Sequence, residues 1–231
     1  MKIAVLNVAT GKYINLVDQL HYSIRKNLMN EHDVDIFLFT DSQKDFPSDV
    51  KTYQIERRGW PGDTLYRYHY FLKAEEELKK YDFLLYLDVD LCIQSPIGDE
   101  IISNLVATEH PGFYGKENGT FERRRQSQAF VPMATSHPYY CGGVQGGKSE
   151  IYLKACAEIK QKIDIDDENG ILAIWYDESH WNSYLKNFPP TLSLDPRYCY
   201  PTDAYFPWIQ SFEKSAKIIT VAKNEEEIRG K

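Results

Sequence analysis

Apolar residues follow two patterns along the first part of the chain. Short apolar runs are typical of strands buried in a sheet, and longer segments with apolar residues three or four apart are typical of helices. The strands are predicted at residues 2–8, 34–40, 50–55 and 83–87, and the helices at 13–28 and 65–78. Because strands and helices alternate, we predict an α/β fold with an open, largely parallel sheet and helices on both faces.

The second half of the chain departs from this rhythm. Residues 110–147 are rich in glycine, aromatic and polar residues, and we predict mixed strands and loops there that form the functional face. The later elements are predicted as a strand-like piece at 128–132, helices at 150–163 and 178–187, a strand at 217–222 and a charged, mobile tail at 223–231. The pattern indicates neither an internal repeat nor a second domain.

Composition narrows the class of protein. With 231 residues, of which 42% are hydrophobic, the chain is long enough for one domain with a full core. The net charge of −7 argues against a nucleic-acid-binding protein, which needs a basic face. Cys92, Cys141, Cys156 and Cys199 have neither C-x-x-C spacing nor suitably spaced histidines, so a reducing compartment is favoured over a zinc site. The apolar run after Met1 is too short for a signal peptide or a membrane span, so we predict a soluble, cytoplasmic protein without a membrane anchor.

The motif Asp-x-Asp occurs at residues 33–35, 88–90 and 164–166. The first motif begins a strand and therefore lies at the amino end of the sheet. Ligands of open α/β sheets bind beyond the carboxyl ends of the strands, so this motif is not a candidate ligand site. The third is predicted to lie in a loop after a helix. Asp88 and Asp90 close the most apolar strand, and two carboxylates at this spacing can share a hard cation such as Mg²⁺ or Mn²⁺ together with substrate phosphates. We therefore predict a metal site at this pair.

A second pattern, Gly142 to Ser149, matches the phosphate-loop consensus G-x-x-x-x-G-K-[ST]. A helix follows, as such a loop requires, because the first N–H groups of the helix meet the phosphates. The segment before it is a poor buried strand, and the acidic strand precedes the pattern instead of following it. A P-loop-like NTPase stays open at this point as an alternative from a different class.

Several longer motifs resemble those of one family. They are "FLFTD", "YLDVDLCI", "HPGFYG", "ERRRQSQAFVP", "YYCGGVQGG", "AIWYDESHWNSYL" and "VAKNEEEIR", in this order. Together they resemble glycosyltransferase family 6, the family of the blood-group A and B transferases and the α-1,3-galactosyltransferases, over nearly the whole catalytic domain. In that family the stretch matching "GGVQGG" belongs to the donor-sugar pocket, and the lysine after it is not a family feature. The resemblance therefore implies that the phosphate-loop pattern is accidental.

The resemblance implies a GT-A fold, a Rossmann-like, mostly parallel sheet flanked by helices, in a single catalytic domain. Residues 1–109 would form the nucleotide- and metal-binding part, 110–215 the donor-sugar and acceptor part, and 216–231 a strand and the mobile tail. The implied reaction is a retaining transfer of N-acetylgalactosamine or galactose from the UDP-sugar to the 3-hydroxyl of a galactoside acceptor. Animal members carry a membrane anchor and stem, which we do not expect in this chain.

The resemblance also implies roles for individual residues. Asp88 and Asp90 would hold Mn²⁺, or Mg²⁺, and Glu178 matches the candidate nucleophile, which either attacks the sugar or stabilises its oxocarbenium-like centre during same-face displacement. The residues that match donor-binding positions are Asn7, Tyr13, Arg67, Asp88, Val89, Gly112, Cys141, Gly142, Gly143, Asp177, Lys223 and Arg229. Those that match acceptor-side positions are His110, Thr120, Trp175, Tyr176 and Glu178.

Simpler roles stay open for some of these residues. Tyr13 could be a core residue, and His110 could be a satisfied turn residue. Asp177 and Glu178 could owe their place to the first turn of a helix, where acidic residues are favoured. The charged tail could be a solvated charge run. Gly112, Cys141 and Gly143 match the family positions that distinguish galactose from N-acetylgalactosamine. The small size of the two glycines favours UDP-N-acetylgalactosamine, whereas cysteine is not one of the commoner residue types at the position of Cys141.

Three departures from the family pattern concern the acceptor and the uracil. Tyr176 replaces the usual histidine, and Asn7 replaces an aromatic residue near the uracil. Pro201 stands where the family has an acceptor-binding acid, with Asp203 two residues further on. A UDP-sugar hydrolase with a degenerate acceptor site is therefore an alternative. So is a non-catalytic sugar-binding module, although it would not need both the Asp-x-Asp pair and Glu178.

Overall fold

The structure, a computed structural model, describes residues 1–116, 118–133 and 137–229. The first half contains β1 (Lys2–Ala9), α1 (Val17–Asn27), β2 (Asp33–Thr40), β3 (Val50–Gln54), α2 (Gly62–Leu65), α3 (Arg67–Lys73), α4 (Glu75–Leu78), β4 (Phe83–Leu87) and β5 (Leu91–Ile93). The second half contains β6 (Leu105–Glu109), β7 (Tyr140–Lys148), α5 (Ser149–Glu168), α6 (Tyr176–Asn187), β8 (Leu192–Leu194), β9 (Ile218–Thr220) and α7 (Glu225–Arg229).

Within the described residues, seven strands form one sheet in the order β3-β2-β1-β4-β7-β6-β8, and β5 pairs with β9 in a smaller sheet. The strands β3, β2, β1 and β4 are parallel, β7 runs antiparallel to β4 and β6, and β8 is parallel to β6. The prediction of an α/β fold with a mostly parallel sheet is confirmed. The strand order reverses between β1 and β4, and ligands of such sheets bind beyond the strand ends at a reversal of this kind.

Side chains that alternate along the strands fill both faces of the sheet. Val5 and Leu85 point into the layer that contains α1, whereas Leu6 and Tyr86 point into the layer that contains α3, α5 and α6. All four residues are at most 1% exposed. Full burial of such a side chain contributes about 1.5–3 kcal/mol, so the two layers fix the sheet and the ends of its strands.

Two of the predicted helices are interrupted. The predicted helix at 13–28 begins with a 3₁₀ segment, Gly11–Leu16, and only Val17–Asn27 is α-helical. The predicted helix at 65–78 is divided into α2, α3 and α4, because ψ is 11° at Tyr66 and 12° at Ala74, outside the helical range.

The predicted strand at 128–132 is wrong. Gln128 and Ala129 lie in a turn, residues 130–132 have no regular secondary structure, and backbone N–H groups of this segment bond elsewhere. The N–H of Val131 donates to the carbonyl of Glu122, and the N–H of Gln128 donates to the carboxylate of Asp166. Such bonds, one to a nearby residue and one to helix α5, take the place of pairing with a neighbouring strand.

Helix α5 extends beyond its predicted end to Glu168, so the prediction of a loop at Asp164 and Asp166 is also wrong. Asp166 is 2% exposed and accepts hydrogen bonds from the hydroxyl of Ser127 (2.6 Å) and the N–H of Gln128 (2.7 Å). Carboxylates near a helix C-terminus are unfavourable for the helix dipole, and these tertiary bonds offset that effect. None of the helices in the described ranges combines the length and the apolar composition needed to cross a lipid bilayer.

The phosphate-loop pattern lies in strand β7 and not in a loop. Gly142, Gly143 and Gly146 belong to an extended segment that pairs with β4 on one edge and β6 on the other. A Cβ at Gly146 would come within 2.3 Å of the carbonyl oxygen of Leu84, so the close approach of the two strands requires glycine. A phosphate loop instead curves around its anion with N–H groups directed inward. The structure therefore contradicts the NTPase alternative.

Candidate active site

A cleft lies beyond the carboxyl ends of β1 and β4, where the strand order reverses. The region of β1 contributes Val8 and Thr10, and the turn after β4 contributes Asp88, Val89 and Asp90. The remaining lining residues are Tyr13, Arg57, Trp60, Asp63, Thr64, Arg67, Tyr86, Lys223, Ile228 and Arg229. The cleft thus brings together predicted site residues from both ends of the chain.

Asp88 and Asp90 lie just after β4, in the turn that leads to β5. The N–H of Leu91 donates to the carbonyl of Asp88 (3.2 Å), which closes the turn, and the N–H of Asp88 donates to the carbonyl of Gly143 (2.9 Å). The strand has the predicted bounds, and the pair follows it directly, as the sequence order indicated. Both residues line the cleft.

The acidic pair has the donor chemistry for a hard divalent cation bound together with a phosphate ligand. Within the described ranges, no three or more His, Cys, Asp or Glu side chains are grouped to hold a metal ion by themselves. Mg²⁺ and similar cations commonly take one or two protein carboxylates and complete their coordination with water and substrate phosphates. Asp90 contacts the Nζ atom of Lys223, so a positive charge already lies beside this carboxylate. The residues fit such a cation when a diphosphate supplies further oxygens.

Arg67 connects the acidic groups of the site. Arg67 is 3% exposed, and its guanidinium lies 3.4 Å from Oδ1 of Asp88 and 3.2 Å from Oδ2 of Asp177. The guanidinium also donates to the carbonyl of Gly142 (2.9 Å) and to the hydroxyl of Thr64 (2.8 Å). Loss of one partner from a buried ion pair typically costs about 3–5 kcal/mol, so Arg67 is needed to keep these carboxylates in place.

Asp177 and Glu178 occupy the first turn of α6, and their contacts are with other elements. Glu178 accepts hydrogen bonds from the hydroxyl of Tyr139 at Oε1 (2.7 Å) and from the N–H of Gly142 at Oε2 (2.9 Å). Burial raises the pKa of Asp177 to about 7, while Arg67 opposes this shift. Burial also raises the pKa of Glu178 to about 7, against the two hydrogen bonds that it accepts. Carboxyl groups shifted in this way are typical of functional sites.

Gly142 and Gly143 allow the carboxylates to approach β7. A Cβ at Gly142 would come within 2.9 Å of Oδ2 of Asp177, and a Cβ at Gly143 within 2.8 Å of Oδ2 of Asp88. The space beside these glycines is therefore occupied by the acidic side chains. Cys141, which is 5% exposed, packs into the layer that contains α1.

The C-terminal segment folds back over the cleft. The N–H of Val221 donates to the carbonyl of Asp90 (2.7 Å), and Nζ of Lys223 contacts the carboxylate of the same residue. The guanidinium of Arg229, in α7, lies 3.8 Å from the centroid of the Trp60 ring, and both residues line the cleft. The part of the tail that the structure describes thus carries positive charge to the acidic pair.

Asn7, predicted to bind the donor, lies inside the sheet. It is fully buried, and its amide donates to the carbonyls of Leu6 (2.9 Å) and Leu87 (2.8 Å). Its Oδ1 lies 3.2 Å from Nε2 of His21. The side chain therefore joins β1 to β4 from the interior, because a buried amide needs partners there.

Residues predicted on the acceptor side lie around Tyr139, next to Glu178. Burial raises the pKa of Tyr139, the neighbouring Thr120 side chain opposes this shift, and the ring of His110 lies 5.7 Å from that of Tyr139. Nδ1 of His110 accepts a hydrogen bond from the N–H of Gly112 (3.0 Å), so this histidine also satisfies its own turn. Burial lowers the pKa of His110 to about 4, which keeps the ring neutral at pH 7.

Trp175 and Tyr176 stand at the start of α6, directly before Asp177. Trp175 is 46% exposed, and its N–H donates to the hydroxyl of Ser179 (3.0 Å). Tyr176 has a φ of 50°, which is uncommon for a residue with a side chain, and its ring meets that of Trp60 edge-on at 5.4 Å. Residues with this conformation are enriched at functional sites, although Met29, which does not line the cleft, has a similar φ of 49°.

The sequence analysis missed Tyr139 and Trp60 as site residues. Tyr139 precedes β7 and reaches Glu178 in α6, and no spacing in the sequence connects these positions. Trp60 lies in "RRGWPGD", where the glycines and the proline predict a turn, but nothing in the spacing links it to the site. In the structure its ring contacts both Tyr176 and Arg229.

Glu122, also missed, anchors the loop that leads to Trp175. Glu122 is 2% exposed, and its carboxylate accepts hydrogen bonds from the guanidinium of Arg124 (2.6 Å) and the N–H of Ile174 (2.9 Å). Burial opposes ionisation, but the bonds from Arg124 and the backbone outweigh it and lower the pKa of Glu122 to about 2. The loop before α6 is thereby tied to the segment that follows Thr120.

Replacing Glu122 by glutamine is expected to lower the free energy of unfolding at pH 7 by about 1–3 kcal/mol, because Arg124 loses a charged partner. A carboxyl with a lower pKa in the folded state, here about 2 against 4.5, stabilises the fold above pH 4.5 and loses this effect as the pH falls towards 2. In urea unfolding, the difference between the two proteins should therefore shrink over that range. Glu168→Gln, at an exposed position, is the matched control, and a difference that stays constant with pH would contradict the assignment.

Comparison with known proteins agrees with this geometry. The model of glycosyltransferase family 6 matches residues 1–230. The chain is 33% identical over 237 residues to histo-blood group ABO system transferase 2 of Rattus norvegicus, across 96% of this chain and 69% of the relative. It is 30% identical over 251 residues to globoside alpha-1,3-N-acetylgalactosaminyltransferase 1 of Gallus gallus, across 99% of this chain and 69% of the relative. It is 26% identical over 233 residues to O-antigen biosynthesis glycosyltransferase WbnI of Escherichia coli, across 98% of this chain and 97% of the relative.

A mostly parallel sheet flanked by helices, with an acidic pair in a cleft at the reversal of strand order, defines a glycosyltransferase of the GT-A fold. The chain belongs to glycosyltransferase family 6. The resemblance noted in the sequence is thereby confirmed.

Proposed function

We propose that this chain is a retaining glycosyltransferase that moves N-acetylgalactosamine or galactose from the UDP-sugar to the 3-hydroxyl of a galactoside acceptor. The observation that carries the proposal is the convergence of Asp88, Asp177 and Glu178 on Arg67 and Gly142 beside the cleft. Membership of the family supports it, as do the names of the rat and chicken relatives. The free thiols of the four cysteines support a reducing, cytoplasmic location as part of the proposal.

In the proposed complex, different lining residues of the cleft would bind the uracil and the diphosphate of the UDP-sugar. Tyr13 and Val8 supply apolar surface for the uracil, and the ammonium of Lys223 lies over the Tyr13 ring, 5.8 Å from its centroid. Lys223 and Arg229 would face the diphosphate, where an ion pair at about 4 Å and an effective dielectric near 20 is worth roughly 4 kcal/mol before desolvation. Asp88 and Asp90 would hold Mn²⁺ or Mg²⁺, which when bound stabilises the negative charge of the departing diphosphate.

In the proposed reaction, Glu178 would face the positive charge that develops on the sugar. It is held in the first turn of α6 by Tyr139 and by Gly142, which is bonded in turn to Arg67. A fixed carboxylate can act as a nucleophile or stabilise an oxocarbenium-like centre from one side. Both roles need the ionised form, so activity is expected to fall as the pH drops below the pKa of about 7.

One observation favours the hydrolase as a second candidate. Pro201, at the position where family members carry an acceptor-binding acid, lies with Asp203 in a second depression that also includes Tyr200, Tyr205 and Glu213. A proline cannot accept a hydrogen bond from a sugar hydroxyl through its side chain. Acceptor binding therefore depends on other groups, such as the exposed ring of Trp175.

The test is release of UDP from UDP-N-acetylgalactosamine, UDP-galactose and UDP-glucose, with Mn²⁺ or EDTA, and with or without galactoside acceptors. We expect Mn²⁺-dependent release from one of the first two donors, stimulated by a galactoside, with the new α-linkage confirmed by NMR. Release that no galactoside stimulates would support the hydrolase. Absence of release from all three donors under every condition would overturn the proposed function.

A further inference from the structure

Tyr86 is a polar residue in the most apolar strand of the sheet. It is the fourth residue of "FLLYL" in β4 and is 1% exposed. Its ring lies 5.3 Å from that of Phe71, and the guanidinium of Arg67 lies 4.5 Å from its centroid. An aliphatic residue would satisfy the buried strand, so the hydroxyl calls for a separate explanation.

The hydroxyl of Tyr86 donates a hydrogen bond to Oδ1 of Asp88, two positions further along the chain. Asp88 directly follows β4, and its N–H still donates to the carbonyl of Gly143 in β7, so the side chains of Tyr86 and Asp88 leave the backbone on the same side. Tyr86 also lines the cleft, together with Arg67 and Asp88. The hydroxyl therefore reaches from the core layer to the edge of the proposed donor site.

Asp88 is held from several directions. Oδ1 faces the Tyr86 hydroxyl and lies 3.4 Å from Nη2 of Arg67, while Oδ2 lies in the space that Gly143 leaves open. The N–H of Asp88 donates to the carbonyl of Gly143 (2.9 Å). Asp90, in contrast, contacts Lys223 of the C-terminal segment. Asp88 is thus anchored by the core of the sheet, and Asp90 by the tail.

We propose that Tyr86 is a positioning residue that fixes the Asp88 carboxylate in the orientation that binds the divalent cation. This inference rests on the proposed function, because it requires Asp88 to be a cation ligand. Hydrogen-bond partners of ligating carboxylates typically contribute about 10–100-fold to metal affinity, because they fix the orientation of the ligand. Arg67 also contacts Asp177 and Gly142, so its interaction is divided among several groups. The Tyr86 hydroxyl, in contrast, donates its hydrogen bond to Asp88.

Tyr86→Phe removes the hydroxyl and keeps the ring against Phe71 and Arg67. Calorimetric titration of Mn²⁺ into protein saturated with UDP is expected to show affinity about tenfold weaker than in the unchanged protein. The Mn²⁺ concentration for half-maximal UDP release should rise by the same factor, whereas kcat at saturating Mn²⁺ should stay within about twofold. UDP affinity in EDTA should not change. Tyr152→Phe, at an equally buried tyrosine in α5, is the matched control and should leave Mn²⁺ affinity unchanged.

Each outcome bears on the proposal. Mn²⁺ affinity of Tyr86→Phe within about twofold of the unchanged protein would overturn it, and so would an equal loss of UDP affinity in EDTA, which would indicate general damage to the cleft. If the phenylalanine variant does not fold, Tyr86→Leu, which repeats the residue type on either side, must show the same selective loss. If the unchanged protein itself binds no Mn²⁺ in the presence of UDP, the proposed metal role fails, and this inference fails with it.

Discussion

Replacing Glu178 by glutamine is expected to reduce the rate of UDP-sugar turnover by on the order of 10²–10³. The reason is that the positive charge developing on the sugar would no longer face a carboxylate. The glutamine oxygen can still accept the hydrogen bond from the N–H of Gly142, so the local structure should persist. The measurement is kcat for UDP release with Mn²⁺ and the best acceptor.

The stability of the Glu178→Gln protein separates a chemical effect from unfolding. A carboxyl whose pKa is raised to about 7 by burial destabilises the fold as the pH rises from 4.5 to 7, because the folded state disfavours the ionised form. Glutamine removes this cost, so the variant should be at least as stable as the unchanged protein at pH 8. Glu168→Gln, at the exposed end of α5, is the control. If turnover of Glu178→Gln stayed within about threefold of the control, Glu178 would have no role in the chemical step.

Replacing Asp90 by asparagine is expected to abolish the stimulation of turnover by Mn²⁺, so that the rate in Mn²⁺ falls to the rate in EDTA. A divalent cation that stabilises the leaving diphosphate by several kcal/mol corresponds to on the order of 10²–10³ in rate. Asp90 is partly exposed and lies in a turn, so the fold should tolerate the change. The rates in Mn²⁺ and in EDTA, compared on the same preparation, measure the effect.

The chain contains its own control for this prediction. Asp33, in the first Asp-x-Asp motif, is exposed at the amino end of β2, opposite the end of the sheet where the cleft lies. Asp33→Asn should leave Mn²⁺ stimulation unchanged. If Asp90→Asn behaved like Asp33→Asn, the assignment of Asp90 as a metal ligand would be wrong.

Much of the sheet could be predicted because several of its strands are recognisable from short apolar runs in the sequence. The runs at β1, β2 and β4 are apolar because both faces of these strands are covered, and this pattern does not depend on distant residues. The position of Asp88 and Asp90 followed from the same pattern, since they come directly after the most apolar run. That the pair lines a cleft beyond the strand ends is therefore a consequence of sequence order.

Strand β7 could not be predicted in the same way. Its four glycines have low strand propensity, and the strand exists because β4 and β6 pair with it from both sides. Propensity is a property of the residue, whereas this pairing is set by the whole sheet. The same residues gave the false match to a phosphate loop, since that consensus specifies glycine positions without the backbone conformation.

The contacts of the candidate site were also hidden from the sequence. Arg67, Gly142 and Asp177 are far apart along the chain, yet the guanidinium of Arg67 contacts both of the others. The prolonged end of α5 has a similar cause, because Asp166 is bonded to Ser127 and Gln128 from another segment. In both places a buried polar group is hydrogen-bonded or ion-paired to a residue far away in the sequence. The spacing of nearby residues cannot predict such a partner.

The position of α7 has a practical consequence for handling the protein. Lys223 and Arg229 lie within the last nine residues of the chain, and both line the cleft. An affinity tag fused downstream of Arg229 would emerge beside the proposed donor site and compete for space there. Met1 precedes the amino end of β1, opposite the carboxyl end where the cleft lies, so a purification tag is better attached ahead of β1.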